Sequence, residues 1–181
     1  MGTFNFLIFL VFTSTFLYTT YSSNNIPVQQ TKQTNPVVYI FEYLTGPNVT
    51  TTIIAGKSTG EATMKVPNII EFGTVAVFDY IVKEGASEES KEIGRAQGYY
   101  MNSQLDGKAM FMSFSLIFND GEFKGSTLQF QGSDIYTTEQ RELAVVSGTG
   151  AFRFVRGYVI MESIEFVDPR IVVGANITLI H

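Results

Sequence analysis

From residue 37 to residue 180 the chain is a series of short apolar runs separated by turn residues, with no helical periodicity. That pattern constrains the fold more than any other feature of the sequence. The runs are 37–44, 50–64, 72–82, 93–101, 109–118, 126–131, 143–146, 152–164 and 171–180. Between them lie Thr45-Gly46-Pro47-Asn48, Lys83-Glu84-Gly85, Asp106-Gly107, Asn119-Asp120-Gly121 and Ser147-Gly148-Thr149-Gly150, the residue types that tight turns require. Strands with no helix to cover them must bury their apolar faces on one another, which means a closed barrel or a sandwich.

Alternation within the runs favours a barrel around a cavity. In 94–102, Ala96, Gly98, Tyr100 and Asn102 alternate with Arg95, Gln97, Tyr99 and Met101. Two small residues beside a tyrosine leave room for a bound molecule, where a filled barrel would carry Val or Leu. In 111–118, Met112, Phe114, Leu116 and Phe118 read as a packing face. Phe111, Ser113, Ser115 and Ile117, mixing aromatic and hydroxyl groups, read as the lumen.

The length of 181 residues suits one domain. A net charge of −5 without a basic stripe argues against nucleic acid, whose phosphates need cations. There is no cysteine, and the single histidine is His181. No disulfide, thiol chemistry or His/Cys metal site is therefore expected, and no cofactor. Carboxylates alone can hold Ca²⁺ or Mg²⁺, but no ligand loop of that kind is visible. One-electron oxidation would have to come from another protein.

Residues 1–23 read as a secretory signal peptide, almost wholly apolar from Phe4 to Leu17 and too short for a membrane span, though no Lys or Arg precedes the apolar run. A buried N-terminal element is the alternative. Residues 24–36 are polar and carry Pro27 and Pro36, which suggests a flexible arm before a domain at 37–181. Sequons at Asn48 and Asn176 fit glycosylation on a secretory route.

Several motifs together resemble the plant dirigent family, from about Val37 to the C-terminus. They are Val38-Tyr39-Ile40-Phe41-Glu42-Tyr43 with its following turn, Phe72-Gly73-Thr74-Val75-Ala76-Val77-Phe78-Asp79, Gly94-Arg95-Ala96-Gln97-Gly98-Tyr99-Tyr100, Gly125-Ser126-Thr127-Leu128, Arg141-Glu142-Leu143, and 146–158 with its Ser147-Gly148-Thr149-Gly150 core. The resemblance implies an eight-stranded antiparallel up-and-down β-barrel with a central cavity, a homotrimer, and secretion to the plant apoplast. It also implies a polar cluster at the cavity floor that holds a phenolic radical or a quinone methide. By position those groups are Asp134, Arg141, Tyr100 and Glu42. Typical members end the opening strand in His-Asp, where this chain has Phe41-Glu42, so a donor is lost and the acid is one methylene longer. A second cavity tyrosine of lignan-forming members corresponds to Asn102.

A carboxyl in an apolar barrel has its charged form disfavoured, so Asp134 or Glu42 can stay protonated and donate to a developing phenolate. Arg141, always cationic, can instead keep one acid ionised as a base. The plainer readings are a structural Asp134–Arg141 ion pair, a solvated Glu42 and a packing Tyr100. Asp79 reads as a turn or register residue, with Arg95 and Gln97 facing away from Tyr100.

Three functions follow. The first is stereoselective coupling of monolignol radicals of the coniferyl alcohol type into lignans, with a separate laccase or peroxidase as oxidase. The second is a pterocarpan-synthase-like dehydratase and cyclase acting through a quinone methide. The third is a non-catalytic binding barrel. None calls for a membrane partner.

Overall fold

A computed structural model describes residues 32–56, 60–61 and 71–180. The expected signal segment, most of the expected arm, part of the 50–64 run and His181 lie outside the described residues. The strands are β1 (Gln33–Thr34), β2 (Val37–Tyr43), β3 (Thr51–Ala55), β4 (Gly60–Glu61), β5 (Val75–Lys83), β6 (Glu92–Met101), β7 (Met110–Phe118), β8 (Thr127–Asp134), β9 (Gln140–Thr149), β10 (Arg156–Val167) and β11 (Arg170–Ile180).

From β6 to β11 each strand pairs antiparallel with the one before it. β2 then closes the ring by pairing with both β11 and β5, which gives the closed eight-stranded antiparallel barrel. β2 takes the C-terminal part of β5 (Phe41↔Ile81), and β3 takes its N-terminal part (Thr51↔Phe78). The chain therefore runs along one edge of β5 twice in succession, with the loop 44–50 pushed out between. That loop is pinched at its base, where Thr50 N donates to Tyr43 O at 3.0 Å and Tyr43 N donates to Thr50 Oγ1 at 2.9 Å. Gly46 at φ +90° supplies the turn that Thr45-Gly46-Pro47-Asn48 suggests.

Three local expectations change. Gln33–Thr34, placed by sequence in the arm, pairs with Ile180 and Leu179 in line with β2. The turn expected at 147–150 falls later, because β9 runs on to Thr149 and the chain reverses in a short 3-10 turn, Gly150–Phe152. Gly148 permits this: a Cβ there would stand 2.3 Å from Phe152 O, so only glycine lets the turn fold back on the strand. The 152–164 run consequently becomes strand only at Arg156, after Phe154 adopts φ +65°.

The two faces of β7 are also the reverse of the reading from sequence. Met110, Met112, Phe114, Leu116 and Phe118 are buried and point inward, while Phe111, Ser113, Ser115 and Ile117 are half-buried on the outer side. The interior takes the fully apolar face, and the serine hydroxyls stay where desolvation costs least. One barrel end is plugged by aromatic side chains. Phe118 and Phe123 each contact Phe152, with ring centroids 5.6 and 4.8 Å apart, and Phe114 stacks on Phe130 at 4.9 Å in the next layer. Above this plug the barrel is hollow.

Candidate functional site: a polar ring in an apolar barrel

The hollow is a cavity of about 1030 Å³. Ala96, Met112, Phe114, Phe78 and Met161 form its apolar wall, and Phe72, Leu105, Tyr136 and Phe166 stand around the open end. Tyr136 donates to Gly107 O, tying the loop after β8 to the loop before β7.

Glu42, Tyr100, Asp134 and Arg141 all line this cavity. Each occupies an inward position at the end of its strand nearest the opening: Glu42 beyond Val38 and Ile40, Tyr100 beyond Ala96, Asp134 beyond Leu128 and Phe130, and Arg141 ahead of Leu143 and Val145. The polar cluster therefore sits in the mouth half of the barrel, and the floor belongs to the aromatic plug. Sequence separation hides this convergence, because the barrel ends are assembled from strands far apart in the chain.

Two poles result. At the first, Glu42 Oε1 accepts from Tyr80 Oη at 2.9 Å and lies 3.3 Å from Thr51 Oγ1, with Thr51 Oγ1 and Tyr80 Oη 3.2 Å apart. Burial pushes the Glu42 carboxyl up to about 6; the Tyr80 and Thr51 hydrogen bonds pull it back, Asp134 raises it further and Arg141 lowers it. At the second pole, Asp134 Oδ1 faces Arg141 Nε at 3.6 Å, too long for a hydrogen bond, and Arg141 Nη2 donates to Ser163 Oγ at 3.1 Å. Burial raises the Asp134 carboxyl above the ordinary range and Arg141 opposes it. The Tyr100 phenol is also pushed up, by burial and then by the Glu42 charge.

Three polar atoms here are buried without a hydrogen-bond partner: Tyr100 Oη, Asp134 Oδ1 and Arg141 Nε. Buried polar groups are normally paired, so these are the atoms a bound oxygen would satisfy. A second recess, of about 650 Å³, lies on the outer wall beside the 44–50 loop and contains Asp79 and Arg95. There Arg95 Nε donates to Asp79 Oδ1 at 2.8 Å, and none of its polar atoms is left buried and unpaired.

Two residues singled out from sequence stand elsewhere. Phe41 is fully buried on the outer side of β2, with the Lys83 ammonium 4.6 Å above its ring, so the change from the usual His removes no donor from this cavity. Asn102 is outside the cavity lining and braces the loop at its mouth, donating to Gly107 O at 3.0 Å and accepting from Gln104 N at 3.1 Å. Gly98 also differs from expectation. Its missing side chain makes room for Phe114, since a Cβ would lie 2.4 Å from that of Phe114, while Ala96 borders the open space. Sequence reasoning missed Tyr80, Thr51 and Ser163. Tyr80 was legible from alternation, being in register with Phe78 and Val82 on β5, whereas Thr51 and Ser163 carry no local signal. Asn48 and Asn176 are both exposed.

The class defined by these features is a closed antiparallel β-barrel with one open end and a polar ring, Glu42, Tyr100, Asp134 and Arg141, in an apolar cavity. The particular family comes from comparison. A family model described as Dirigent-like protein matches residues 33–180, and the chain belongs to that family. It is 35% identical over 179 residues to pterocarpan synthase 1 of Glycyrrhiza echinata, covering 97% of this chain and 92% of the relative. It is 33% identical over 181 residues to dirigent protein 11 of Arabidopsis thaliana, covering 95% and 91%. The solved structure of a pterocarpan synthase dirigent protein superposes with a TM-score of 0.74 at 32% identity, over 84% of this chain and 90% of that one.

Proposed function

We propose that the cavity converts a phenolic alcohol of the isoflavonoid class, through its quinone methide, into a ring-closed product of one handedness by acid–base chemistry alone. The observation that carries this reading is the pair of carboxyls, Glu42 and Asp134, lining one apolar cavity with the unpartnered Tyr100 hydroxyl, where burial disfavours the charged form of both acids. The similarity to a pterocarpan synthase supports it.

A protonated carboxyl delivers its proton to the departing hydroxyl, and the C–O bond breaks with loss of water. The phenol on the same ring gives up its proton to the carboxylate left by that step, leaving a neutral quinone methide. A second phenol of the substrate then attacks the methide carbon. Its proton passes to a carboxylate, while the methide oxygen regains a proton from a cavity donor. One water is lost and no electron changes hands, so no oxidant enters the balance. Glu42, pushed up to about 6 by burial, suits the group that both gives and takes. Tyr100 Oη, buried and unpartnered, is placed to donate to the oxygen on which charge develops. Holding that oxygen from one wall presents one face of the methide carbon to the attacker.

The test is incubation of the purified protein with an isoflavonoid alcohol bearing a free second phenol, with chiral separation of products and no oxidase. A single enantiomer is expected. Product only when a laccase is supplied, from a monolignol, would replace this reading with oxidase-fed radical coupling, and binding without turnover would leave a carrier barrel.

We further infer that the protein is secreted, carries glycan at Asn48, and associates as a homotrimer. Support comes from the exposure of Asn48 in a turn and of Val77 and Tyr99 on the outer barrel wall.

A further inference from the structure

The shortest side-chain contact in the cavity's polar ring joins Glu42 to Tyr80, at 2.9 Å against 3.6 Å for Asp134 and Arg141. We propose that Tyr80 is a positioning residue, whose hydroxyl, backed by Thr51, holds one oxygen of Glu42 so that the other faces the bound phenol and exchanges its proton. This rests on the proton-transfer reading above and adds to it a residue that the proton steps there do not use.

The geometry supports a fixed role. Tyr80 is 6% exposed, and its ring stacks on Phe78 with centroids 4.2 Å apart and planes 8° from parallel, so the hydroxyl cannot swing away without breaking that stack. Both hydroxyls converge on Glu42 Oε1, and among the described residues no hydrogen bond is made to Oε2. Thr51 Oγ1 lies within reach of both Glu42 Oε1 and Tyr80 Oη, and its single proton can serve either. The three residues meet only because β2 and β3 follow one another along β5, with Glu42 and Thr51 brought together across the pinched loop.

The remaining groups that bear on Glu42 are named by the fold. Asp134 on β8 and Arg141 on β9 act on it in opposite senses, and Tyr100 on β6 responds to its charge. From β11 only the uncharged Ile171 and Val173 line the same cavity. All of these survive removal of the Tyr80 hydroxyl. Because a hydrogen bond to the carboxylate favours its charged form, losing that bond lets burial dominate and the proton is held more tightly.

The experiment follows the Glu42 carboxyl directly, by carbon NMR of the full chain labelled at glutamate side chains, with Glu42→Gln assigning the signal. In Tyr80→Phe the titration midpoint is expected to move upward by about one unit, equivalent to a tenfold tighter proton. Thr51→Val is expected to move it less, in the same direction, and carries the test if Tyr80→Phe fails to fold. An unmoved midpoint in the folded variants overturns the proposal. With the isoflavonoid alcohol as substrate, the alkaline limb of kcat/KM, along which the protonated Glu42 is lost, should shift upward with the midpoint, giving up to about a tenfold relative gain above it that fades at lower pH. An equal loss at every pH would make Tyr80 a substrate contact and overturn the positioning role. The NMR measurement needs no substrate. A moved midpoint in a protein without turnover would therefore sink the reaction proposed above while leaving the role of Tyr80 in place.

Discussion

Asp134 and Arg141 show why a buried ion pair and a reactive acid predict different mutant behaviour. Their 3.6 Å separation leaves Oδ1 and Nε unpaired, while Arg141 keeps its bond to Ser163. Asp134→Asn should therefore cost about 1–2 kcal/mol, less than the roughly 3–5 kcal/mol of breaking a tight buried pair. It should lower turnover by about 100-fold or more, the scale of general acid–base catalysis, with Arg141→Lys milder. Unfolding midpoints read beside product yield check this, and intact turnover with a large stability loss would make the pair scaffold only. Glu42 adds a pH dependence of definite sign. Its folded-state value of about 6 lies above the unfolded value of 4.5, so the folded state binds the proton more tightly. The resulting stability is complete below pH 4.5 and is lost as pH rises through 6, about 2 kcal/mol in all. Denaturant titrations from pH 4 to 7.5 should show this decline relative to Glu42→Gln, in which it is absent.

At the scale of elements, the approach of β6 to β7 depends on Gly98. A Cβ there would lie 2.3 Å from Ser113 O and 2.4 Å from Phe114 Cβ, so Gly98→Ala must part the two strands or displace the ring. A loss of about 2–3 kcal/mol is expected in thermal or denaturant unfolding, as overpacking produces. The start of the barrel gives a second measure. Gln33 and Thr34 pair with β11, and Ile177 N donates to Pro36 O at 3.0 Å. A chain beginning at Val37 should be about 1–2 kcal/mol less stable than one beginning at Lys32, since a few backbone hydrogen bonds are lost. Equal midpoints for the two would show that β1 contributes nothing.

For the molecule as a whole, the proposed secretory route makes a mass prediction. Protein recovered from the medium of plant cells should lack residues 1–23 and carry glycan at Asn48. Asn48 is exposed in the 44–50 loop, whereas Asn176 lies in β11 between Ile160 and Val37. Native mass spectrometry of the same sample should find a trimer. An unglycosylated chain that retains residues 1–23 would contradict secretion, and a monomer at working concentration would contradict the assembly.

Much of this architecture was present in the sequence as local chemistry. Period-two alternation and turn residues at Gly46, Gly107 and Gly121 specify strands and most of their ends, because both act over a few residues. The same alternation placed Tyr100 on the cavity side of β6 through Ala96, and the family motifs pointed to Glu42, Asp134 and Arg141. In β7 one face is wholly apolar and the other mixes apolar and hydroxyl groups, so alternation separated the faces without saying which lines the cavity, and only barrel closure decided that the Met and Phe face turns inward. The turn at 147–150 moved because packing of Phe152 against Gly148 outweighed local turn preference. The Glu42–Tyr80 bond spans 38 residues. It exists because β2 closes the barrel onto β5, a long-range pairing that no local pattern encodes. The polar ring at the mouth is thus a property of the closed sheet, which gathers the last inward positions of separate strands into one apolar space.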